Sequence, residues 1–206
     1  MNALIIVDLQ NDFLENGALA VQDSSRIVLL INRMMRKFDL VVASRDCHPR
    51  NHCSLASNHP GKRPGDVIVI NGCEQVLWPD HCLIDTPGAD LTPLLNQALI
   101  RKQFVKGERI DCDCYSCFRD NDHRHATGMA AYLHEAGVTE VYLAGLALDY
   151  CVKSSALDAI AEGFATYVII DACRGINMVR GDVERAITTM VTAGVAIITA
   201  EMVMAF

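Results

Sequence analysis

Residues 141–152, VYLAGLALDYCV, predict a buried strand that runs directly into a helix. The apolar run 141–144 predicts a strand, and a helix is predicted to follow over residues 149–163. Near the N-terminus, residues 3–8 (ALIIVD) form a second short apolar run that ends in a carboxylate, as expected for a buried parallel strand. Strands and helices in direct succession indicate an α/β fold.

The same alternation continues through the rest of the chain. Further strands are predicted at residues 40–44, 103–105, 166–170 and 196–198. Further helices are predicted at residues 24–38, 90–100, 127–137 and 179–193, the first with Ser24 or Ser25 as its N-cap. Residues 46–66 predict a long loop, and the apolar run 67–70 is left unassigned. Six strands that alternate with helices predict one α/β domain over residues 1–206, with a mainly parallel sheet.

The composition excludes several classes of partner. The formal net charge is −7, whereas proteins that bind nucleic acids or anionic membranes rely on positive charge, so we expect neither partner. No apolar run reaches the roughly 20 residues that a membrane span needs, and the first residues lack the basic segment of a signal peptide. We therefore expect a cytoplasmic protein whose nine cysteines are reduced thiols rather than a disulfide framework.

Chemistry-bearing side chains follow several of the predicted strands. Ligands of open α/β sheets bind outside the carboxyl ends of the strands, so Asp8, Asp46, Lys106 and segment 145–151 are candidates. Cys151 is predicted near the first turn of a helix, where backbone N–H groups and the positive helix end favour a thiolate. Lys106 would either pair with a carboxylate or lower the pKa of a thiol. On position alone, Asp8 is equally consistent with a carboxylate that caps the next turn.

The long loop and a later segment offer ligands for a metal ion. Asp46 and His48 are two residues apart, so an extended backbone points both side chains the same way. One carboxylate with one or two further imidazoles, from His52 or His81, suits one divalent ion such as Zn, with Fe or Mn as alternatives. The alternative is a polar loop whose histidines are only solvated.

A cluster of thiols lies in residues 111–117, DCDCYSC. Cys112, Cys114 and Cys117 could form a soft metal site if His123 or His125 supplied a fourth ligand. We favour the alternative that these are loop thiols whose spacing is incidental.

Taken together, these motifs resemble the nicotinamidases of the isochorismatase-like cysteine hydrolase superfamily. The resemblance is carried by residues 7–13 (VDLQNDF), 44–49 (SRDCHP) with His52, 57–61, 75–82 (QVLWPDHC), 105–107 (VKG), 115–118 and 145–152. It implies a three-layer α/β/α fold with a six-stranded, mainly parallel sheet. It also implies hydrolysis of nicotinamide to nicotinate and ammonia through a cysteine thioester, in NAD salvage, with pyrazinamide as a further substrate.

The resemblance also assigns roles to residues of the catalytic centre. Cys151 is the expected nucleophile, Asp8 takes its proton and later protonates the leaving nitrogen, and Lys106 orients Asp8 and favours the thiolate. The backbone N–H groups of Ala147 and Cys151 are expected to hold the oxyanion, next to a cis peptide bond before Ala147.

The remaining expectations concern the metal and the substrate ring. The resemblance implies a metal held by Asp46, His48 and His81, with His52 as a further candidate, and this metal would bind the ring nitrogen of the small-molecule substrate nicotinamide. We expect Phe13, Trp78 and Tyr115 to form the walls around the ring. A homo-oligomer is a further expectation.

Some positions depart from the pattern of the superfamily. Cys47 stands where an aromatic residue is usual, Leu148 stands in place of Thr, and Cys114 and Cys117 replace small or polar residues. Two alternatives therefore stay open: a related amidase for a carbamoyl or ureido substrate, and a non-catalytic metal or thiol redox protein. The metal-ligand pattern argues against the first, because such amidases lack that site as far as the resemblance extends.

Overall fold

The computed structural model describes residues 1–205 and contains one six-stranded sheet and one two-stranded hairpin. The strands are β1 (Asn2–Val7), β2 (Leu40–Asp46), β3 (Val67–Ile70), β4 (Cys73–Val76), β5 (Lys102–Lys106), β6 (Glu140–Leu146), β7 (Ala165–Arg174) and β8 (Ala196–Ile198). The helices are α1 (Ser24–Met34), α2 (Met129–Glu135), α3 (Lys153–Ala161), α4 (Asp182–Thr192) and α5 (Ala200–Met204). Within residues 1–205, no helix is long and apolar enough to cross a membrane.

The large sheet is parallel throughout and has the order β5-β2-β1-β6-β7-β8, which confirms the predicted fold class. Alternate residues of β1 face opposite sides of the sheet and enter two separate apolar cores. Leu4 and Ile6 pack with residues of α1 and α5, whereas Ala3, Ile5 and Val7 pack with residues of α2, α3 and α4. Both faces of the sheet are therefore covered, as parallel sheets require.

The strand order reverses at β1. The chain adds β2 and β5 on one side of β1, and β6, β7 and β8 on the other side. Such a reversal opens a crevice at the carboxyl ends of the central strands, because the connections on the two sides leave in opposite directions. The residues that follow β1, β2, β5 and β6 border this crevice.

The helix predicted at residues 90–100 is wrong. This segment contains one short turn, Gln97–Leu99, and otherwise runs irregularly along the surface. Its backbone groups bond elsewhere: the Thr92 N–H donates to the Leu9 carbonyl, and the Asn32 side chain bonds the backbone of residues 94 and 96. Pro93 also disfavours helical geometry at the residue before it. Tertiary hydrogen bonds have therefore replaced helical ones.

Smaller differences concern local signals. The unassigned run Val67–Ile70 pairs in antiparallel fashion with β4 through the turn Asn71-Gly72, where both residues have positive φ, as a two-residue hairpin prefers. The N-cap position of α1 is Asp23 rather than Ser24 or Ser25, and the Glu15 carboxylate accepts the Ser25 N–H. The short helix α5 was not predicted.

Candidate active site

Three of the predicted catalytic residues meet at the carboxyl end of the sheet. Asp8 follows β1 and is buried, Lys106 is the last residue of β5, and Cys151 lies in the π-helical turn Leu148–Val152 between β6 and α3. The Nζ atom of Lys106 lies 3.0 Å from Oδ2 of Asp8 and 3.5 Å from Sγ of Cys151. The ammonium group therefore lies between a carboxylate and a thiol.

Lys106 has more polar neighbours than hydrogens to donate. Its Nζ donates to the Cys114 carbonyl at 2.8 Å and to Sγ of Cys151. The carboxylates of Asp8 and Asp46 lie at 3.0 and 3.2 Å as ion-pair partners. Burial opposes the charged ammonium, but the two carboxylates outweigh burial and raise the pKa of Lys106 well above its usual value. The lysine is therefore a fixed cation at the centre of the site.

Asp8 is held by Ser44, a residue that the sequence analysis did not identify. The Ser44 hydroxyl donates to Oδ1 of Asp8 at 2.6 Å and accepts the Asp8 N–H at 3.2 Å. Complete burial raises the pKa of the Asp8 carboxyl, against the lowering effects of Lys106 and of the Ser44 hydrogen bond. A carboxylate with a raised pKa is a stronger base, which suits proton transfer near neutral pH.

The surroundings of Cys151 act in two directions on its thiol. Burial raises the pKa of this thiol well above its usual value, and Asp8 and Asp46 add to the effect, whereas Lys106 lowers it. Lys106 therefore acts toward the thiolate, and burial and the two carboxylates act toward the thiol. The thiol needs a base at the moment of reaction, and Asp8 is its neighbour.

The predicted metal ligands Asp46, His48 and His81 form a second cluster. Their ligand atoms lie within 4.8 Å of one another, and all three side chains are buried. Nδ1 of His48 is 3.0 Å from the Gly107 carbonyl, and Nδ1 of His81 is 2.8 Å from the Pro79 carbonyl. Since a carbonyl only accepts, each Nδ1 carries a hydrogen, and each Nε2 points away from that carbonyl.

Both free ring nitrogens converge on one carboxylate oxygen. Nε2 of His48 lies 2.9 Å from Oδ2 of Asp46, and Nε2 of His81 lies 3.6 Å from it. Burial opposes an imidazolium, but the Asp46 carboxylate outweighs burial and raises the pKa of His48 to about 9. One carboxylate and two imidazoles whose ligand atoms lie this close together are a donor set that fits a divalent metal ion.

Two residues hold Asp46 and His48 in place. The Gln10 side chain accepts the Asp46 N–H and donates to its carbonyl, both at 2.7 Å. Gly107 has φ +74°, and a Cβ there would lie 2.6 Å from Oδ1 of Asp46 and 2.7 Å from Cε1 of His48. Only glycine fits this position. Both residues belong to the quoted motifs, but their partners lie 36 to 59 residues away in the sequence.

His52 lies beside the metal-ligand cluster and not within it. Its ring stacks on His48 with centroids 4.2 Å apart, and its Nδ1 bonds the Ser54 hydroxyl at 2.8 Å. Nε2 of His52 is 3.3 Å from the Cys112 carbonyl. A second group of donor atoms, from His48, His52 and Asp113, adjoins the first, but His52 does not approach Asp46 closely enough to join it.

A pocket of about 340 Å³ opens between the thiol and the metal-ligand cluster. It brings together the three predicted ring walls, Phe13, Trp78 and Tyr115, and adds Tyr150, which the sequence analysis missed. The Trp78 indole packs edge-on to Tyr150 at 4.8 Å and donates its N–H to the Tyr115 hydroxyl at 3.2 Å. A narrow pocket with rigid aromatic walls, polar groups and a buried thiol suits a small flat ligand.

The segment before the thiol has the backbone features that the resemblance implied. The Leu146–Ala147 peptide bond is cis, and the Ala147 carbonyl accepts the N–H groups of Tyr150 and Val152, both at 3.1 Å. Ala147 and Cys151 both line the pocket. The backbone of this turn therefore lies at the wall of the pocket beside the thiol.

The remaining cysteine cluster does not converge on one point. Sγ of Cys112 contacts the Asp113 carbonyl, Sγ of Cys114 contacts the Ser116 carbonyl, and Sγ of Cys117 donates to the Ser44 hydroxyl. The three thiols therefore do not form one ligand group, and Sγ of Cys112 lies near the carboxylates of Asp120 and Asp122 instead. The candidate fourth ligand His125 bonds Arg109.

Comparison with known proteins identifies the family. The isochorismatase domain model matches residues 2–202. The chain belongs to the isochorismatase family. Within this family it is 44% identical to the nicotinamidase of Acinetobacter baylyi over 94% of this chain and 90% of the relative. It is 42% identical to the nicotinamidase of Escherichia coli over 96% of this chain and 94% of the relative.

Solved structures of the isochorismatase family match the same fold. An Acinetobacter baumanii nicotinamidase and pyrazinamidase superposes with a TM-score of 0.94 at 44% identity, over 97% of this chain and 96% of that one. A yeast nicotinamidase bound to the inhibitor nicotinaldehyde gives 0.91 at 32% identity, over 97% and 100%. A Pyrococcus horikoshii pyrazinamidase in complex with zinc gives 0.77 at 35% identity, over 96% and 98%.

Proposed function

We propose that this protein is an amidase that hydrolyses nicotinamide to nicotinate and ammonia, a reaction of NAD salvage. The observation that carries the proposal is the Asp8–Lys106–Cys151 cluster, which opens into a narrow aromatic pocket beside three metal-ligand side chains. The names of the relatives, which include several nicotinamidases, support the same substrate. Pyrazinamide differs by one ring nitrogen and is proposed as a second substrate.

The chemistry follows from the resting state of the thiol. Asp8 takes the proton of Cys151 as the sulfur attacks the amide carbon. The negative charge moves from the Asp8 carboxylate to the sulfur, and Lys106 stabilises it there. The backbone N–H groups of Ala147 and Cys151 hold the oxyanion. Asp8 next gives its proton to the amide nitrogen, so that ammonia leaves and a thioester remains. Asp8 then deprotonates a water molecule that attacks the thioester carbon. The C–S bond breaks, nicotinate leaves, and Asp8 returns its proton to the sulfur, which restores the thiol.

The ligand cluster gives the substrate its orientation. Asp46, His48 and His81 would hold one divalent ion, which supplies a positive charge and an open coordination position for a ring nitrogen. We propose zinc, because a pyrazinamidase at 35% identity is known in complex with zinc. Phe13, Trp78 and Tyr115 would hold the faces and edge of the ring. Elemental analysis of the purified protein distinguishes zinc from iron and manganese.

An ammonia-release assay with nicotinamide, pyrazinamide and a ureido substrate tests the proposal. We expect turnover of the first two, and Cys151→Ala should lose at least about a thousandfold in kcat, since loss of a covalent nucleophile removes most of the rate enhancement. Cys73→Ala, which removes an exposed thiol of β4, is the control and should keep wild-type activity. Turnover of the ureido substrate alone would favour the related carbamoyl amidase instead, and no turnover of any amide would leave the thiol redox alternative.

A further inference from the structure

The two oxygens of the Asp8 carboxylate have different surroundings. Oδ1 accepts the Ser44 hydroxyl at 2.6 Å, the shortest contact that Asp8 makes. Oδ2 is buried and lies 3.0 Å from Nζ of Lys106. Two ammonium hydrogens of Lys106 are directed to Cys114 and Cys151, which leaves the third for the carboxylates of Asp8 and Asp46. Ser44 therefore occupies Oδ1, and Oδ2 is the oxygen on the side of Lys106, which also contacts Cys151.

The hydrogen of the Ser44 hydroxyl has a single available acceptor. A serine oxygen has one hydrogen and two lone pairs. Two of its neighbours are donors, because the Asp8 N–H lies at 3.2 Å and the Cys117 thiol donates at 3.1 Å. Both lone pairs are thus used, and the hydroxyl hydrogen must point at the remaining neighbour, Oδ1 of Asp8. The serine cannot rotate to accept a hydrogen from that oxygen without losing a donor.

The fold fixes this arrangement from three elements. Ser44 lies on β2 beside β1 and is fully buried, and Asp8 has φ 47°, so its backbone turns toward the serine as β1 ends. Cys117 is also fully buried and is anchored by its own N–H, which donates to the Ser155 hydroxyl on α3 at 2.8 Å.

We propose that Ser44, oriented by the Cys117 thiol, is a positioning residue that reserves Oδ1 of Asp8 and leaves Oδ2 to take the Cys151 proton. This inference rests on the proposed function, because the proton transfer is its first step. In that step the S–H bond of Cys151 breaks and the O–H bond forms at Oδ2. The sulfur keeps the electron pair with which it attacks the amide carbon. The hydroxyl of Ser44 does not touch the substrate.

The charged and titratable groups around Asp8 set the sign of the expected effect. Lys106 from β5, Asp46 from β2 and the thiols of Cys117 and Cys151 face it. The Ser44 hydrogen bond stabilises the carboxylate form, so its loss raises the pKa of Asp8 further. Ser44→Ala should therefore lose activity at a higher pH than the wild type as the pH falls.

The experiment measures two pH profiles, kcat/KM for nicotinamide and the rate at which iodoacetamide alkylates Cys151, followed by peptide mass spectrometry. The acidic limb is the fall in rate as the pH decreases. The limb that disappears in Asp8→Asn is assigned to Asp8. In Ser44→Ala we expect this limb to move up by about one pH unit in both profiles, with kcat at neutral pH about tenfold lower and KM unchanged. Ser44→Thr retains a hydroxyl and should restore the wild-type limb.

Two further variants separate positioning from general loss of structure. Ser24→Ala removes another fully buried serine, on α1, away from the site, and should leave both profiles unchanged. Cys117→Ala keeps Ser44 but removes the thiol donor, and should move the limb in the same direction by a smaller amount. If Ser44→Ala does not fold, Ser44→Thr and Cys117→Ala still decide the matter. The proposal is overturned if the acidic limb does not move in Cys117→Ala and, where Ser44→Ala folds, does not move in that variant either.

The alkylation profile does not depend on nicotinamide turnover. A wild-type protein that is inactive on nicotinamide but shows the shifted alkylation limb in Ser44→Ala would contradict the proposed substrate and retain the role of Ser44. A wild-type protein that is active, with both limbs unmoved in Ser44→Ala, would contradict the role of Ser44 and retain the proposed function.

Discussion

Asp8 and Asp46 are buried carboxylates that share one lysine, yet their pKa values move in opposite directions. Lys106 lies 3.0 Å from Asp8 and 3.2 Å from Asp46. Burial raises the pKa of the Asp8 carboxyl, whereas His48 and Lys106 together outweigh burial at Asp46 and hold its pKa well below the usual range. One carboxylate can therefore carry a proton during a reaction, and the other stays charged and attracts cations.

Both carboxylates are buried, so the difference comes from their partners. Asp8 has one cationic partner, Lys106, and the neutral Ser44 hydroxyl. Asp46 has the same lysine and two imidazoles. We infer that proton transfer and metal binding are divided between the two sides of Lys106, and the following variants test that division.

The largest effect is expected from removal of the proton acceptor. Asp8→Asn keeps the shape of the side chain but cannot take the thiol proton, so kcat should fall by about 10²–10⁴-fold. Binding of nicotinamide, measured by calorimetry, should change little, because Asp8 does not line the pocket. Asp46→Asn is the comparison, and we expect it to lose bound metal, measured by elemental analysis. A kcat within tenfold of wild type in Asp8→Asn would contradict the division of roles.

A somewhat smaller effect is expected from removal of the shared cation. Lys106→Ala should raise the pKa of the Cys151 thiol, because Lys106 is the neighbour that lowers it. Each pKa unit corresponds to about a tenfold change in thiolate at a given pH, so alkylation of Cys151 near neutrality should slow by at least about tenfold. The measurement is the pH dependence of iodoacetamide alkylation.

Lys153→Ala provides the matched control for this variant. Lys153 begins α3, two residues after Cys151, and its ammonium group packs on the Tyr150 ring at 5.8 Å. It should leave the alkylation profile unchanged. An unchanged profile in Lys106→Ala as well would mean that Lys106 has no direct electrostatic effect on the thiol.

The third prediction separates binding of the substrate ring from activation of the Cys151 thiol. Chelation with EDTA, or His48→Ala, should weaken nicotinamide binding by about tenfold or more while the alkylation rate of Cys151 changes less. The reason is that the ligand cluster lines the pocket, whereas we propose that Asp8 and Lys106 activate the thiol. Benzamide lacks the ring nitrogen, so its weak binding should be indifferent to chelation. Full activity after exhaustive chelation, with no metal found in the protein, would contradict the metal assignment.

The main site residues could be predicted because each one follows a strand. Asp8, Lys106 and Cys151 are read directly from apolar runs and the turns after them, and the parallel sheet brings such positions to one edge. Ser44 and Gln10 could not be assigned roles in the same way. Their partners lie 36 residues away in the sequence, and only the register of β1 against β2 brings them together.

One prediction was wrong because tertiary surroundings outweighed a local pattern. The helix at residues 90–100 has the right apolar spacing, but its backbone bonds to distant groups around Leu9 and Asn32. The thiolate at Cys151 stays a prediction: Lys106 lowers the pKa of the thiol, whereas burial, which a sequence does not show, raises it.

The smallest effect is expected from His52, at the edge of the ligand cluster, and it tests where that cluster ends. Nε2 of His81 faces Asp46, whereas the ring nitrogens of His52 bond Ser54 and a backbone carbonyl, and His52 only stacks on His48. His81→Ala should therefore weaken zinc affinity by far more than about tenfold, since it removes a ligand. His52→Ala should weaken it by less than about tenfold, because it removes only support for the His48 ring.

Competition with a fluorescent zinc chelator measures both affinities, and thermal unfolding with and without added zinc provides a second reading. Bound metal stabilises the folded state in proportion to its affinity, so the zinc-dependent rise in Tm should persist in His52→Ala and vanish in His81→Ala. His134→Ala, on α2 and stacked on Phe164, is the control for loss of an imidazole away from the site. Equal losses in His52→Ala and His81→Ala would place His52 among the ligands. His52 would then bind the metal and would not only support the His48 ring.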